Sequence, residues 1–210
     1  MKKNRFPVML GMALLGLLVA TAARANDYTL VKQESGIALY EKWITVSGGE
    51  TARELKVVFY ARVATERVVT VLKDPAKGKE WNQRVKAYSI LEEKGQAGWI
   101  TYIHYGIPWP VGDQDCCLAY TRRDNTRNTE LLFAGTSHPQ FPQLAGVGRI
   151  GGIRGRWLLE PQDKGLLKIT YTITSDKSKK LPKWITDPVI HNNMIKSISK
   201  FIHILENPAA

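Results

Sequence analysis

Tyr105-Gly106-Ile107-Pro108-Trp109-Pro110-Val111-Gly112-Asp113 holds two prolines and two glycines in nine residues, which rules out a continuous helix or a central strand. The stretch is a loop, yet Ile107, Trp109 and Val111 alternate along it. An apolar loop covers something apolar or touches a membrane, whereas an ordinary wide hairpin connection packs on its own core; both readings are open. Strand-like runs flank it, at residues 99–105 and 115–121. The chain therefore reads as a sheet whose apolar concave face is closed by this loop and by one long C-terminal helix.

Working outward, residues 36–43 and 51–62 are strand candidates joined through Ser47-Gly48-Gly49, the second rich in β-branched and aromatic side chains. Thr65 is placed to cap a short helical run with Val68, Val69, Val71 and Leu72 on its apolar face. Asp74-Pro75 ends that run, and residues 77–80 make a basic turn before Trp81. Strands follow at residues 84–92, 97–105, 115–123, 129–137, 151–160 and 166–175, separated by short polar turns. That spacing predicts a mostly antiparallel sheet. At the C-terminus, Asp187 caps a helix with Pro188 at its first position. Ile190, Met194, Ile198, Phe201, Ile202 and Leu205 then recur at helical spacing over roughly five turns. Burying one such side chain is worth roughly 1.5–3 kcal/mol, so the stripe lies on the sheet or on a ligand.

The first 25 residues read as a secretory signal. Lys2, Lys3 and Arg5 precede an apolar run of 13 residues, 8–20, too short to span a bilayer, and Ala23-Arg24-Ala25 is a cleavage site. Export to the periplasm is the expectation, with the mature domain at residues 26–210. No Cys follows the site to carry a lipid anchor. Removing the four basic residues of that segment from 30, against 19 acidic, leaves a net charge of +7. Such a surplus meets anionic lipid or simply confers solubility, and export counts against nucleic acid. The only cysteines, Cys116 and Cys117, are neighbours and point to opposite faces of a strand, so two buried thiols are expected rather than a disulfide.

Signatures of chemistry are sparse. The four histidines, His104, His138, His191 and His203, lack metal-ligand spacing, and His104 and His191 read as surface residues. No Gly-x-Ser-x-Gly or zinc motif occurs. Residues 146–155 carry five glycines with Arg149 and Arg154, and Arg156 follows; the run offers phosphate contacts but lacks the Lys-Ser/Thr and helix of a P-loop. A bend beside a strand is the competing reading.

The order of these segments resembles the START domain, the StAR-related lipid-transfer module. The resemblance rests on Leu72-Lys73-Asp74 with Trp81-Asn82, on Pro110-Val111-Gly112-Asp113-Gln114-Asp115, and on His138-Pro139 through Pro142 with Val147-Gly148-Arg149. Gly155-Arg156-Trp157-Leu158-Leu159-Glu160-Pro161 and Thr170-Tyr171 to Leu181-Pro182-Lys183-Trp184 continue it. It implies an α+β helix-grip fold, a curved antiparallel sheet around a long C-terminal helix with a lipid cavity between them. It also implies a non-enzymatic carrier of a lipid or sterol-like ligand, without a cofactor, monomeric and in transient contact with a membrane. Polyketide cyclases and hydrolases share the fold, and a helix-grip enzyme acting on a small hydrophobic substrate is the alternative. Gln114 stands where the family often has an arginine, and Ile103 where its acidic partner would be. Losing both together avoids a stranded buried charge and implies a less charged pocket.

If Ile103 points inward, alternation places Trp99, Thr101 and Tyr105 beside it, and Gln114 brings Cys116, Leu118 and Tyr120 to the same face. Ile190, Met194, Ile198 and Ile202 would form the lid, and the resemblance adds Arg149 to the ligand contacts. Thr101, Tyr105, Gln114 and Tyr120 are the polar candidates; for each, a satisfied core residue is the competing reading. The gate implied by the family comprises residues 106–112, with Ile107, Trp109 and Val111, and the last helix. Lys179 and Lys180, in a cluster with Lys177 and Lys183, are candidates for anionic head groups.

Overall fold

Alternation along the strand Thr51–Ala61 sets the pattern of the sheet: Leu55, Val57 and Phe59 are buried on one face while Lys56, Val58 and Tyr60 point to the other. The computed structural model describes residues 28–46, 49–91, 98–175 and 183–207. In chain order the elements are β1 (Thr29–Glu34), β2 (Ile37–Thr45), β3 (Thr51–Ala61), α1 (Thr65–Leu72), α2 (Pro75–Trp81), β4 (Val85–Leu91), β5 (Gly98–Tyr105), β6 (Gln114–Asp124), β7 (Thr129–Gly135), β8 (Gly148–Arg149), β9 (Arg154–Pro161), β10 (Leu167–Ser175) and α3 (Lys183–Glu206). The strands form one curved sheet in the order β1-β2-β3-β10-β9-β7-β6-β5-β4, antiparallel throughout except for β8, which pairs parallel with the start of β6. Helix α3 lies against the inner face, with α1 and α2 closing one end. This is the α+β helix-grip arrangement.

Several local expectations give way to the structure. Strand β1 is added ahead of β2. Asp74-Pro75 ends α1 and also starts α2: the Asp74 carboxylate accepts from the backbone N–H groups of Ala76 (2.8 Å) and Lys77 (3.0 Å), with Pro75 at the first position. The basic turn expected at residues 77–80 is thus helix. Ala64, not Thr65, is the α1 cap, and it makes no side-chain cap. Likewise α3 begins at Lys183, so Pro188 lies inside it and forgoes one early helical hydrogen bond. Asp187 does not cap; its carboxylate reaches Arg53 at 2.5 Å.

Packing is tightest at the closed end. Trp157 on β9 meets Trp81 of α2 edge-on at 6.0 Å, Phe201 of α3 at 5.2 Å and Tyr171 of β10 at 4.2 Å between ring centroids. Gly155 sits two residues earlier because a Cβ there would collide with the Thr172 carbonyl and the Phe133 ring. On the opposite face, residues 136–150 fold back over β5 and β6. Tyr102 and Cys117 are buried there, outside the main core cluster, and Tyr102 stacks on Phe141 at 4.8 Å.

Candidate ligand-binding site

Register brings the expected residues of β5 and β6 onto one face. Tyr105 pairs with Gln114, Ile103 with Cys116, Thr101 with Leu118 and Trp99 with Tyr120, and Tyr88 of β4 lies opposite Ile103. All look towards α3. They do not have equivalent surroundings. Trp99 stacks on Tyr120 at 4.6 Å and its indole N–H donates to the Thr101 hydroxyl at 3.1 Å, so Trp99 and Thr101 satisfy each other in the packed end. Leu118 and Ile103 are buried, and Ile198 is fully buried among the core side chains of α3.

The opposite end is looser. Tyr105, Tyr171, Ile173, Val85, Ile190 and Met194 all pack on the core yet keep accessible surface, whereas Ile202, equally half-buried, adjoins Phe201 at the closed end. Burial nevertheless holds the Tyr105 hydroxyl well above the usual phenol range, and neighbouring Cys116, Tyr171, Tyr88 and Tyr120 oppose its ionisation further. Tyr171 is raised in the same way, first by burial and then by Tyr120, Cys116 and Tyr88. These partly accessible side chains gather where the first half of α3 meets the inner faces of β4, β5, β6 and β10. Among the described residues, no hydrogen-bond partner meets the Tyr105 hydroxyl, the Tyr171 hydroxyl or the Gln114 carboxamide. The Tyr88 hydroxyl, by contrast, donates to the Leu72 carbonyl at 2.8 Å.

Tyr171 was legible from the alternation that puts it with Ile169 and Ile173, but nothing in the β10 sequence says that it reaches β5. Arg149 does not join the group. Its strand partner is Asp115, whose side chain points away from Gln114 and Cys116, and the guanidinium binds that carboxylate from Nε (2.6 Å) and Nη2 (3.0 Å). The glycine-arginine run therefore does not converge on a phosphate: Arg149 is committed to Asp115, and Arg154 and Arg156 lie on the outer face of β9.

The first half of α3 is tied to the sheet by charge. Arg53 lies between Asp187 (2.5 Å) and Glu41 (3.5 Å), and the Glu41 carboxylate also meets Nε2 of His191 at 3.2 Å. His191 is half-buried, and so is His104, whose Nε2 lies 3.1 Å from the Asp113 carboxylate. Both expectations of plain surface histidines thus fail, because each faces a carboxylate from a neighbouring element. In the loop at residues 106–112, Ile107 and Val111 are half-buried while Trp109 is 90% exposed, so its ring covers no part of this chain. Lys177, Lys179 and Lys180 lie outside the described residues.

Cys116 and Cys117 are free and buried, on opposite faces of β6. Burial pushes the Cys116 thiol up to about 12, with Asp115 and Cys117 adding to it. At pH 8 such a thiol is ionised in only ~1 part in 10⁴, about a thousandfold less than a cysteine titrating near 9. Iodoacetamide at pH 8 should therefore leave Cys116 unmodified in the folded protein and alkylate it in urea. Rapid labelling of Cys116 under native conditions, followed by peptide mapping, would count against this burial.

A curved sheet gripping a C-terminal helix over an apolar inner face defines the helix-grip class. Residues 21–210 match the START domain, and the chain belongs to that family. It is 26% identical over 173 residues to an uncharacterised protein of Pseudomonas aeruginosa, covering 82% of this chain and 83% of that one. It is 23% identical over 191 residues to the phosphatidylcholine transfer protein of Mus musculus, covering 89% of this chain and 87% of that one. Among solved structures, the STAR-related lipid transfer protein of Xanthomonas axonopodis superposes with a TM-score of 0.71 at 23% identity, over 85% of this chain and 98% of that one. That likeness is one of fold.

Proposed function

We propose that this protein takes one lipid or sterol-like molecule into a hollow between α3 and the sheet, and carries or presents it across the periplasm without any covalent step. One observation carries the reading: among the described residues, the Tyr105 and Tyr171 hydroxyls and the Gln114 carboxamide stand unpartnered on an otherwise apolar inner face. Their polar atoms keep accessible surface, and sealing them in unpaired would cost about 1–3 kcal/mol each, a cost that a ligand with a polar end avoids. The three groups are neutral, and the charges nearest the first half of α3, Arg53 with Asp187 and Glu41, are engaged with one another and with His191, so the buried part of the ligand is uncharged. The names of two relatives, each a lipid transfer protein, support the class. Trp109 presents an amphipathic ring suited to the head-group layer, with Ile107 and Val111 behind it and Lys179 and Lys180 as further contacts. Loop and helix move apart at the membrane, the ligand partitions in, and closure removes it from water.

Native mass spectrometry of residues 26–210 purified from the host periplasm, with organic extraction of the cargo, tests this reading. A stoichiometric lipid or sterol-like mass is the expected result; an empty protein that also binds no lipid from a host panel overturns it. The Tyr105→Phe/Tyr171→Phe double variant should bind the extracted cargo roughly tenfold or more weakly, as the loss of two hydrogen bonds implies, with little change in melting temperature. Unchanged affinity would remove the hydroxyls from the site. Trp109→Ser should slow vesicle-to-vesicle transfer several-fold while leaving cargo affinity and stability unaltered, because the ring contacts nothing in the fold. Equal transfer rates for variant and parent would move the membrane contact elsewhere.

A further inference from the structure

The outer face of the sheet carries a second concavity, which the carrier reading does not use. It is a groove of about 660 Å³ running across the strands from Tyr28, Lys42 and Glu54 to Arg123, Arg154 and Arg156. Its middle is shallow in side chain. Register sets Arg154, Ala134 and Ala119 in one cross-strand row, and Arg156, Leu132 and Thr121 in the next. Small residues at the centre and large cations at the rim are what make the outer face concave here.

The charges on this face do not balance. Arg156 is taken up by Glu130 at 3.0 Å, and Lys42 by Glu54 at 3.2 Å, where the Tyr28 hydroxyl also binds. Arg123 and Arg154 are exposed and have no acidic partner among the described residues. Lys56, on the same face, has the rings of Tyr28 (3.7 Å) and Tyr40 (4.7 Å) around its ammonium, with Lys42, Glu54 and Lys168 nearby. Burial, and then repulsion from Lys42, pull its pKa down, so an incoming anion would be welcome there. Of the groove's own lining, Lys42, Arg123, Arg154 and Arg156 face the carboxylate of Glu54, with Glu130 beside Arg156.

Shape selects the anion. From β2 to β6 the groove crosses five strand spacings, ~24 Å, far more than one phosphate or head group and close to the length of roughly seven extended residues. A concave surface with its cations at the rim cannot lie flat on a bilayer. Arginine forks at Arg123 and Arg154 match carboxylates bidentately, and the central alanines let a backbone approach. The geometry points to a docking groove for an extended acidic segment of a partner protein, laid across the outer face while cargo occupies the inner one.

The probe is a fluorescently labelled octaglutamate peptide, titrated against the full mature chain at low and at 150 mM salt, with octaglutamine as the neutral control. Octaglutamate should bind, weaken as salt rises, and shift backbone amide resonances at Ala119, Ala134 and Thr172. Arg123→Gln/Arg154→Gln should weaken it about tenfold, whereas Arg62→Gln/Arg127→Gln, which removes the same charge outside the groove, should not. Matching thermal melts establish that the folds of the two double variants are intact. Equal weakening by both pairs, or resonance shifts elsewhere, would reduce the effect to net charge and overturn the proposal. So would displacement of the peptide by millimolar inorganic phosphate, or by phosphatidylglycerol vesicles that shift the same amides, since either would make the groove an anion or membrane site. Because cargo occupancy is read separately by mass spectrometry, failure here leaves the carrier reading untouched.

Discussion

Arg149→Met should destabilise the fold by about 3–5 kcal/mol, the range found when a buried ion pair loses one partner. Asp115 is 0% exposed, and its two carboxylate oxygens are held by Arg149 Nε and Nη2 and by the Tyr102 hydroxyl at 3.1 Å. Methionine fills the space of the guanidinium stem but leaves the carboxylate buried with one neutral donor. It also releases the Phe141 and Pro142 carbonyls, which Nη2 binds at 3.2 and 3.3 Å, and so frees residues 136–150 from the outer face. Asp115→Asn combined with Arg149→Met should recover much of the loss, since the uncompensated charge is gone. Urea unfolding of the single and double variants decides the matter: a single variant within 1 kcal/mol of the parent would mean that Asp115 is not dry. The same site makes an alkaline prediction. Burial, then the bond to Asp115, pushes the Tyr102 hydroxyl up to about 12. The unfolded chain therefore sheds this proton first, and the contribution of Tyr102 to stability falls as pH rises from the ordinary phenol value near 10 through 12.

Periodicity made the architecture legible. The strands on either side of residues 106–112, their turns and the apolar stripe of α3 all follow from spacing, because alternation of two and recurrence at three and four are local properties. Local signals with two meanings were misread. Asp-Pro stops one helix and starts another, so Asp74-Pro75 concealed α2, and at Asp187-Pro188 a tertiary partner, Arg53, takes the carboxylate that would otherwise cap. The candidate site was half legible. Alternation correctly put Trp99, Thr101, Ile103 and Tyr105 on one face with Gln114, Cys116, Leu118 and Tyr120. It could not tell which of these are sealed in packing and which keep accessible surface, because that depends on where α3 crosses the sheet. Trp99 and Ile198 fell on the packed side, Tyr105 and Met194 on the open one, and Tyr171 arrived from a strand some fifty residues further along the chain. Arg149 was misplaced because a parallel pairing of two residues, β8 on β6, leaves no signature in composition.

Trp157→Ala should cost about 3–5 kcal/mol, as buried tryptophan truncations do. The side chain is 1% exposed and is the shared neighbour of Trp81 on α2, Phe201 on α3 and Tyr171 on β10, so one cavity undercuts three elements at once. Trp157→Phe keeps a ring against Phe201 and should lose a smaller part. The more informative consequence concerns the site. Tyr171 stacks on Trp157, and that stack holds its ring on the inner face near Tyr105, where the proposed ligand would lie. A phenylalanine at position 157 offers less surface for the stack, so the Tyr171 ring gains freedom while the fold survives. Cargo affinity should then fall in Trp157→Phe even at temperatures far below its melting point, and adding Tyr171→Phe should change it little further, because the contribution of the hydroxyl has already been spent. If the two substitutions instead weaken binding independently, Trp157 supports the fold alone and the hydroxyl is positioned by something other than the stack.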